Sequence, residues 1–318
     1  MSGAVPAVVE QHLDAIHCNS DGKILLASSN LTGRYWNGSL WCFRSVEDAP
    51  HVEKCLTGID VSSGIADMVS LDQNKIALGL DSGGLEVYKL ETEGETSHFA
   101  WTFGVCEHDD FITSLSVNSD KTNLVSVGAD KCVKIWNIET WGTTATFRPV
   151  HGGIIWQVAC SSGDPNLFLT CGQDGKILLF DLRLPKPATL IDNSSLKDEP
   201  TALAWKPTSS TAFAVGDASG LVIMKDTRSM GTISSWEPHK RRICCLSFPR
   251  NQSWLASCAD DSDVCITDVE GEKPILMYKD DSHQDFVRGL TWSESNELIS
   301  CGWDKKVISH ICKKDETS

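Results

Sequence analysis

The chain has 318 residues, of which 41% are hydrophobic and 22% charged, the composition of a globular protein with a substantial core. Its 43 acidic and 28 basic side chains give a net charge of −15, which argues against a surface built to bind a nucleic-acid backbone. No run of about 18 apolar residues predicts a membrane span, and the first residues lack the basic start of a signal peptide. We therefore expect a cytoplasmic and nuclear protein whose 13 cysteines, none in a C-x-x-C pair, remain reduced thiols.

The sequence repeats with a period of 42 to 48 residues. Residues Leu124–Asn137 and Phe168–Asp181 match position for position, and both are close to the end of a WD repeat. Seven units end at anchor positions with this spacing: Trp41, Tyr88, Trp136, Phe180, Lys225, Thr267 and His310. The period is that of a four-stranded propeller blade, slightly lengthened in the first units. The sequence thus predicts an all-β, seven-bladed WD-repeat β-propeller in one domain, residues 1–318, with its blades over residues 12–312.

The two ends of the chain are predicted to meet at the seventh blade. The last recognisable strand ends near Cys312, which leaves that blade without a fourth strand and residues 313–318 as a tail. Residues 4–10 precede the first blade, and we expect the segment 1–11 to provide a strand that closes the ring. Such a strand would cover an open sheet edge and join the termini.

The first unit has an unusually long turn. In the other six units a reference position in the second strand lies ten residues before the anchor, but Ala27 lies fourteen before Trp41. The four additional residues fall in the turn 29–38, which contains Arg34, Tyr35 and Trp36. A turn needs polar residues and glycine, whereas Trp, Tyr and Arg dominate the centres of protein interfaces. Trp36 therefore either contacts a partner or folds back onto its own blade.

Four units share a polar pattern. A Ser or Thr lies ten residues before the anchor, an Asp follows it by four, and a His precedes it by 17 to 19. The members are His108, Ser126, Asp130 and Trp136 in the third unit; His151, Thr170 and Asp174 in the fourth; His239, Ser257 and Asp261 in the sixth; and His283, Ser300 and Asp304 in the seventh. This pattern resembles the hydrogen-bonded tetrad of WD-repeat blades, in which buried polar groups satisfy one another.

The tetrads account for the histidines that invite a catalytic interpretation, so we expect neither an enzyme nor a metal or cofactor site. No nucleophile, zinc or phosphate-loop motif occurs. The basic run His239–Arg242 stands out in an acidic protein. It is either a solvated loop or a docking site for an acidic partner.

Several segments resemble one family closely. They are Ser20–Gly22, Leu31–Phe43, Glu107–Asp110, Pro185–Ala188, His283–Arg288 and Gly302–Asp304. Together they resemble the methylosome protein 50 family, the WD-repeat subunits of the protein arginine methyltransferase 5 complex. The likeness runs through nearly the whole chain and includes the long first turn. The resemblance implies a non-catalytic scaffold that binds the methyltransferase and presents histones and Sm proteins for symmetric arginine dimethylation.

The resemblance also implies an assembly and a contact. The expected complex has four propellers and four catalytic chains, and the methyl donor binds the partner, not this chain. The long turn inserts an aromatic residue into the methyltransferase, so the predicted binding residues are Arg34, Tyr35 and Trp36. Tyr35 lies where other members of the family vary. No direct binding of nucleic acid or membrane is expected.

Two other functions fit the sequence less well. Residues Phe180–Arg183 and Lys225–Arg228 are imperfect forms of the W-D-x-R end found in substrate adaptors of cullin-type ubiquitin ligases, since each lacks the Trp. An enzyme built on the propeller would need an acid–base or nucleophile set with supporting spacing. Once the tetrad histidines are assigned to structure, no such set remains in the sequence.

Overall fold

The computed structural model describes residues 5–32, 35–94, 96–184, 189–229, 231–271 and 273–312. Runs rich in β-branched and aromatic residues form 27 strands in these ranges. Two short 3₁₀ turns, Val46–Asp48 and Val52–Lys54, lie between strands of the first blade. No helix in the described ranges has the length and apolar character needed to cross a bilayer.

The strands form seven antiparallel sheets, each built from consecutive strands. The first four sheets contain β1 His12–Cys18, β2 Ile24–Thr32, β3 Tyr35–Phe43, β4 Cys55–Val61, β5 Ile65–Ser70, β6 Lys75–Leu80, β7 Gly84–Glu93, β8 Thr96–Cys106, β9 Ile112–Val117, β10 Asn123–Gly128, β11 Val133–Asn137, β12 Thr143–Phe147, β13 Ile155–Cys160, β14 Leu167–Gly172, β15 Ile177–Asp181 and β16 Thr189–Ile191. The last three contain β17 Pro200–Trp205, β18 Ala212–Asp217, β19 Val222–Asp226, β20 Thr232–Trp236, β21 Ile243–Ser247, β22 Trp254–Ala259, β23 Val264–Asp268, β24 Ile275–Asp280, β25 Val287–Trp292, β26 Leu298–Gly302 and β27 Val307–His310.

The sheets are the blades of a closed ring. The first strand of each sheet contacts the first strands of the two neighbouring sheets, and β1 contacts β25. These seven strands surround a central channel, and all of them begin at the same end of it, which we call the mouth. The predicted seven-bladed, all-β propeller is therefore confirmed.

Apolar side chains fill the spaces between neighbouring blades. Between the third and fourth blades, Val125 and Ile135 pack with Ile155, Phe168 and Phe180, and all five are almost fully buried. Burying one such side chain stabilises a fold by about 1.5–3 kcal/mol. Because each cluster needs side chains from two blades, a single blade has no core of its own, and the ring is stabilised as a unit.

The predicted closing strand over residues 1–11 is wrong for the part that the structure describes. Residues 5–11 carry no strand, and the described part of the seventh blade has three strands. Elsewhere in the ring, connectors of three to eight residues join an outer strand to the next inner strand. Residues 5–11 lead directly into the inner strand β1, so they occupy the place of a connector. Val9 is buried there among residues of the first and seventh blades, including Ile299 and Cys301, and this packing joins the two ends of the ring.

A candidate partner-binding site at the channel mouth

The four predicted tetrads are hydrogen-bonded. In the third blade, His108 Nδ1 lies 2.9 Å from Asp130 Oδ2 and Nε2 lies 2.8 Å from Ser126 Oγ, while Trp136 Nε1 donates to the same hydroxyl at 2.8 Å. The other three blades have the same His–Asp and His–hydroxyl contacts, at 2.8–3.0 Å: His151 with Asp174 and Thr170, His239 with Asp261 and Ser257, and His283 with Asp304 and Ser300. Both ring nitrogens of each histidine are engaged. Burial raises the pKa of Asp130, but hydrogen bonds from His108 and two backbone N–H groups outweigh it and lower that pKa to about 2.

The anchor position of the tetrad tolerates different donors. In the seventh blade His310 takes the place of the Trp, and its Nε2 lies 2.8 Å from Ser300 Oγ. Since Ser300 also contacts His283, the hydroxyl has the two partners that Ser126 has in the third blade. Burial lowers the pKa of His310 to about 4, so the ring is neutral at pH 7. In the sixth blade the anchor residue is Thr267, whose side chain is too short to take the place of the Trp. Its buried Oγ1 has no hydrogen-bond partner among the described residues.

The fifth blade uses a carboxylate that sequence reasoning missed. Asp217 is fully buried at the end of β18, and its Oδ2 accepts the backbone N–H groups of Lys197 and Asp198 at 3.0 and 3.2 Å. Its Oδ1 accepts the Ser219 hydroxyl at 2.7 Å. Asp217 thus holds the loop entering this blade, as the tetrad aspartates do elsewhere. It lies two residues before the expected position of Asp, which is why the repeat spacing did not reveal it.

The long first turn is an extended hairpin. The ladder of β2 and β3 continues through Asn30–Asn37 and Leu31–Trp36 to Thr32–Tyr35. The four additional residues therefore lengthen both strands instead of widening the turn, because continued pairing satisfies their backbone N–H and C=O groups. Of the three predicted binding residues, Arg34 lies outside the described residues, and Tyr35 is described only by its backbone position at the start of β3. Trp36 is described, and 37% of it is exposed.

Trp36 stands at the end of a row of rings beside the mouth. Its ring centroid is 5.7 Å from that of His12, which lies 4.5 Å from Trp303, and Trp303 lies 5.6 Å from Phe286. One side of the indole is therefore supported by its own chain, and the rest faces solvent. Folding back onto its own chain thus describes the packed side of Trp36, whereas its contact with a partner stays a prediction. Supported aromatic side chains lose little conformational entropy on binding, which favours them as interface anchors.

Below Trp36 the channel opens into a cavity of about 600 Å³, which we call the mouth cavity. Carboxylates of the first two blades line one side of it. Asp14 accepts Trp303 Nε1 at 2.9 Å, and its Oδ2 has no partner among the described residues. Asp67 accepts the backbone N–H groups of Met68 and Leu115, both at 2.8 Å. Burial raises the pKa values of Asp14 and Asp67 to about 6 despite these hydrogen bonds.

A third carboxylate, Asp81, lacks the ion pair that its counterpart in the sixth blade makes. The backbone N–H of Asp81 donates to Gly64, as that of Asp260 does to Arg242, so the two residues occupy the same blade position. Asp260 lies 3.6 Å from the Arg288 guanidinium of the next blade. The residue of the third blade that corresponds to Arg288 is the uncharged Thr113, and no described residue pairs with the carboxylate of Asp81. Burial raises the pKa of Asp81, consistent with this lack of a cation.

Gly64 brings this carboxylate close to Trp36. A Cβ atom at Gly64 would overlap the Asp81 carboxylate and the Cβ of Trp36. The base of the exposed Trp36 side chain and an unpaired carboxylate thus lie close together at the edge of the mouth cavity. That pair of groups suits a cationic side chain, which gains from the ring face and from the charge together. The role of Asp81 and Gly64 was not predictable from the repeat, because neither residue departs from ordinary turn composition.

Fold and tetrads together define a WD-repeat propeller. The model of the family described as "WD domain, G-beta repeat" matches residues 101–137, 142–181, 230–268 and 274–308. Methylosome protein WDR77 of Xenopus laevis is 35% identical over 96% of this chain and 91% of the relative, and protein valois of Drosophila melanogaster is 21% identical over 94% and 86%. A chain in the crystal structure of a mitotic checkpoint complex has the same fold, with a TM-score of 0.76 at 15% identity over 97% of this chain and 90% of that one. The chain belongs to the family of methylosome protein WDR77, the WD-repeat subunit of the methylosome.

Proposed function

We propose that this propeller binds protein arginine methyltransferase 5 through the mouth side of its first two blades. The observation that carries the proposal is Trp36, a half-exposed indole supported by the aromatic row and adjacent to the unpaired Asp81. Trp36 is the anchor of the contact, and the mouth cavity accepts a cationic side chain of the methyltransferase beside Asp81. We further propose an assembly of four propellers and four methyltransferases, present in the cytoplasm and the nucleus.

Within this assembly the propeller is a scaffold without catalysis of its own. Each tetrad histidine uses both ring nitrogens in hydrogen bonds, so proton transfer by any of them would break the contacts that hold its blade. The methyl donor is bound by the partner. The contribution of the propeller is to hold basic tails, as of histones and Sm proteins, near the methyltransferase, and the net charge of −15 favours their approach.

Tail binding is expected to use the end of the channel opposite the mouth, because the methyltransferase covers the mouth. The turns that follow the inner strands lie at that opposite end and contain Asp21, Asp72 and Asp120. The triple variant with Asn at these positions keeps the backbone hydrogen bonds of the turns, since an amide oxygen replaces the accepting carboxylate oxygen, and loses the exposed ion pair of Asp21 with Lys23. It should bind a basic histone tail peptide about two- to fivefold more weakly, with a smaller salt dependence, and bind the methyltransferase unchanged. Equal tail affinities and salt slopes, measured by fluorescence anisotropy, would remove the role of these charges.

A further inference from the structure

The basic run His239–Arg242 divides in the structure between two environments. His239 is a tetrad member, and the backbone N–H of Lys240 donates to Asp261 at 2.8 Å. Arg241 is exposed, whereas Arg242 turns inward and lines the mouth cavity. The Arg242 guanidinium lies 4.1 Å from the centre of the Trp156 ring. No carboxylate among the described residues pairs with it, so a stacked cation stands at the mouth cavity without an anion.

Buried donors without acceptors surround this cation. Arg242 Nε, Trp156 Nε1 and Arg288 Nε are all buried and have no hydrogen-bond partner among the described residues. All three side chains line the mouth cavity, across the channel from Asp67 and Asp81. Folded proteins leave few buried donors unpaired, because each loses its bonds to water without replacement. Three such donors beside one cavity leave this side of it short of acceptors.

The chemistry of the donors selects the acceptor. A guanidinium presents parallel N–H groups that match the two oxygens of a carboxylate. A phosphate dianion fits less well, since Asp14 and Asp260 lie close to Arg288 and would repel the second charge. Trp36 and Arg242 line the same cavity, so a partner segment that fills the cavity from the Trp36 side removes water from Arg242. A guanidinium deprived of water needs an anionic partner.

We propose that Arg242, with Trp156 and Arg288, binds the carboxylate of an Asp or Glu side chain on the methyltransferase segment that enters the mouth cavity. This inference rests on the proposed function, because it takes the methyltransferase as the partner covering Trp36. Together with Asp81 it makes the mouth cavity a two-ended site: the first two blades accept a cation and blades four, six and seven accept an anion. The basic run is then partly a solvated loop, and its docking residue is Arg242. The acidic group that Arg242 binds is a single carboxylate of the partner.

Three variants of the full-length protein test the proposal by calorimetric titration with the methyltransferase. Arg242→Gln removes the charge and keeps a planar amide on Trp156, and we expect about tenfold weaker binding. Arg242→Lys keeps the charge without the paired N–H groups and should recover part of that loss. Arg241→Gln is the matched control, since it makes the same charge change one residue away on the exposed loop, and its affinity should stay within about twofold.

The outcomes separate this inference from the proposed function. If Trp36→Ala weakens binding but Arg242→Gln does not, the carboxylate site is refuted and the methyltransferase contact stands. Equal losses for Arg241→Gln and Arg242→Gln would also refute it, because they would reflect net charge alone. If neither Trp36→Ala nor Arg242→Gln changes the affinity, the proposed contact through the mouth fails, although the two proteins still bind. Arg242→Gln loses the stacking of its charge on Trp156, so its melting temperature should fall by no more than a few degrees. If it falls further, Arg242→Lys, which keeps the charge, provides the test.

Discussion

Replacing Trp36 with Ala is expected to weaken methyltransferase binding by about 30-fold or more, roughly 2 kcal/mol, while the propeller remains folded. The indole is a supported anchor whose exposed part is available to a partner, and its removal also uncovers His12 and the edge of the mouth cavity. The fold should tolerate the change because Trp36 lies at the end of an extended hairpin, outside the apolar clusters between blades. Titration calorimetry gives the affinity, and thermal unfolding monitors the fold.

A second exposed tryptophan provides the control. Trp101 lies on the outer strand β8 of the second blade and is 60% exposed, so Trp101→Ala removes the same side chain from a surface away from the mouth. We expect this variant to bind the methyltransferase as the wild type does. Unchanged affinity in a folded Trp36→Ala protein, or equal losses in both variants, would contradict the assignment of Trp36 as the anchor.

Replacing His310 with Gln is expected to reduce the loss of stability that occurs on acidification. The folded protein holds His310 neutral, with its pKa lowered by burial to about 4 from an ordinary value of 6.5. Between these values the unfolded chain binds a proton that the folded chain does not, so the free energy of unfolding falls as the pH falls. The full contribution of this residue across the window is about 3 kcal/mol at most. Above pH 6.5 both states are neutral at this position and the contribution is constant.

A glutamine keeps a donor for Ser300 and does not titrate. The difference in unfolding free energy between His310→Gln and wild type should therefore change by up to about 3 kcal/mol between pH 7 and pH 4, in favour of the variant at low pH. Asp14, Asp67 and His17 also titrate near this range, but they are common to both proteins and cancel in the difference. Urea denaturation of both proteins at a series of pH values measures this difference in unfolding free energy. His98→Gln, at a partly exposed position on β8, is the control, and parallel curves for His310→Gln and wild type would contradict the role of His310.

The period of the sequence was sufficient to predict the ring, because each blade repeats the same hydrogen-bonding unit at nearly constant spacing. The positions of the tetrad residues followed from the same register, and the structure places each set within hydrogen-bonding distance. Blades that depart from the tetrad pattern were harder to interpret from the sequence. His310 looked like the loss of a Trp, but its imidazole Nε2 lies within hydrogen-bonding distance of the same hydroxyl. Asp217 performs a related task from a shifted position, which no repeat pattern contains.

Features that form between blades could not be predicted from the sequence. The unpaired state of Asp81 depends on the identity of Thr113 in the next blade, and the stacking of Arg242 depends on Trp156, two blades away. Neither relation is visible in spacing along one repeat. The count of four additional residues in the first unit was correct, but their extension of β2 and β3 was not foreseen, because Gly33 and Gly38 read as turn residues. The prediction of a closing strand was wrong for a similar reason. Residues 5–11 have a strand-like composition, but they occupy the place of a connector.

The central claim is that the propeller and the methyltransferase form a stable complex in equal numbers. The most direct measurement is co-purification of the tagged full-length chain with the methyltransferase of the same organism, followed by light scattering during size exclusion. We predict a particle with the mass of four propellers and four methyltransferases. Recovery of the propeller alone, or with the adaptor subunits of a ubiquitin ligase and no methyltransferase, would contradict the account.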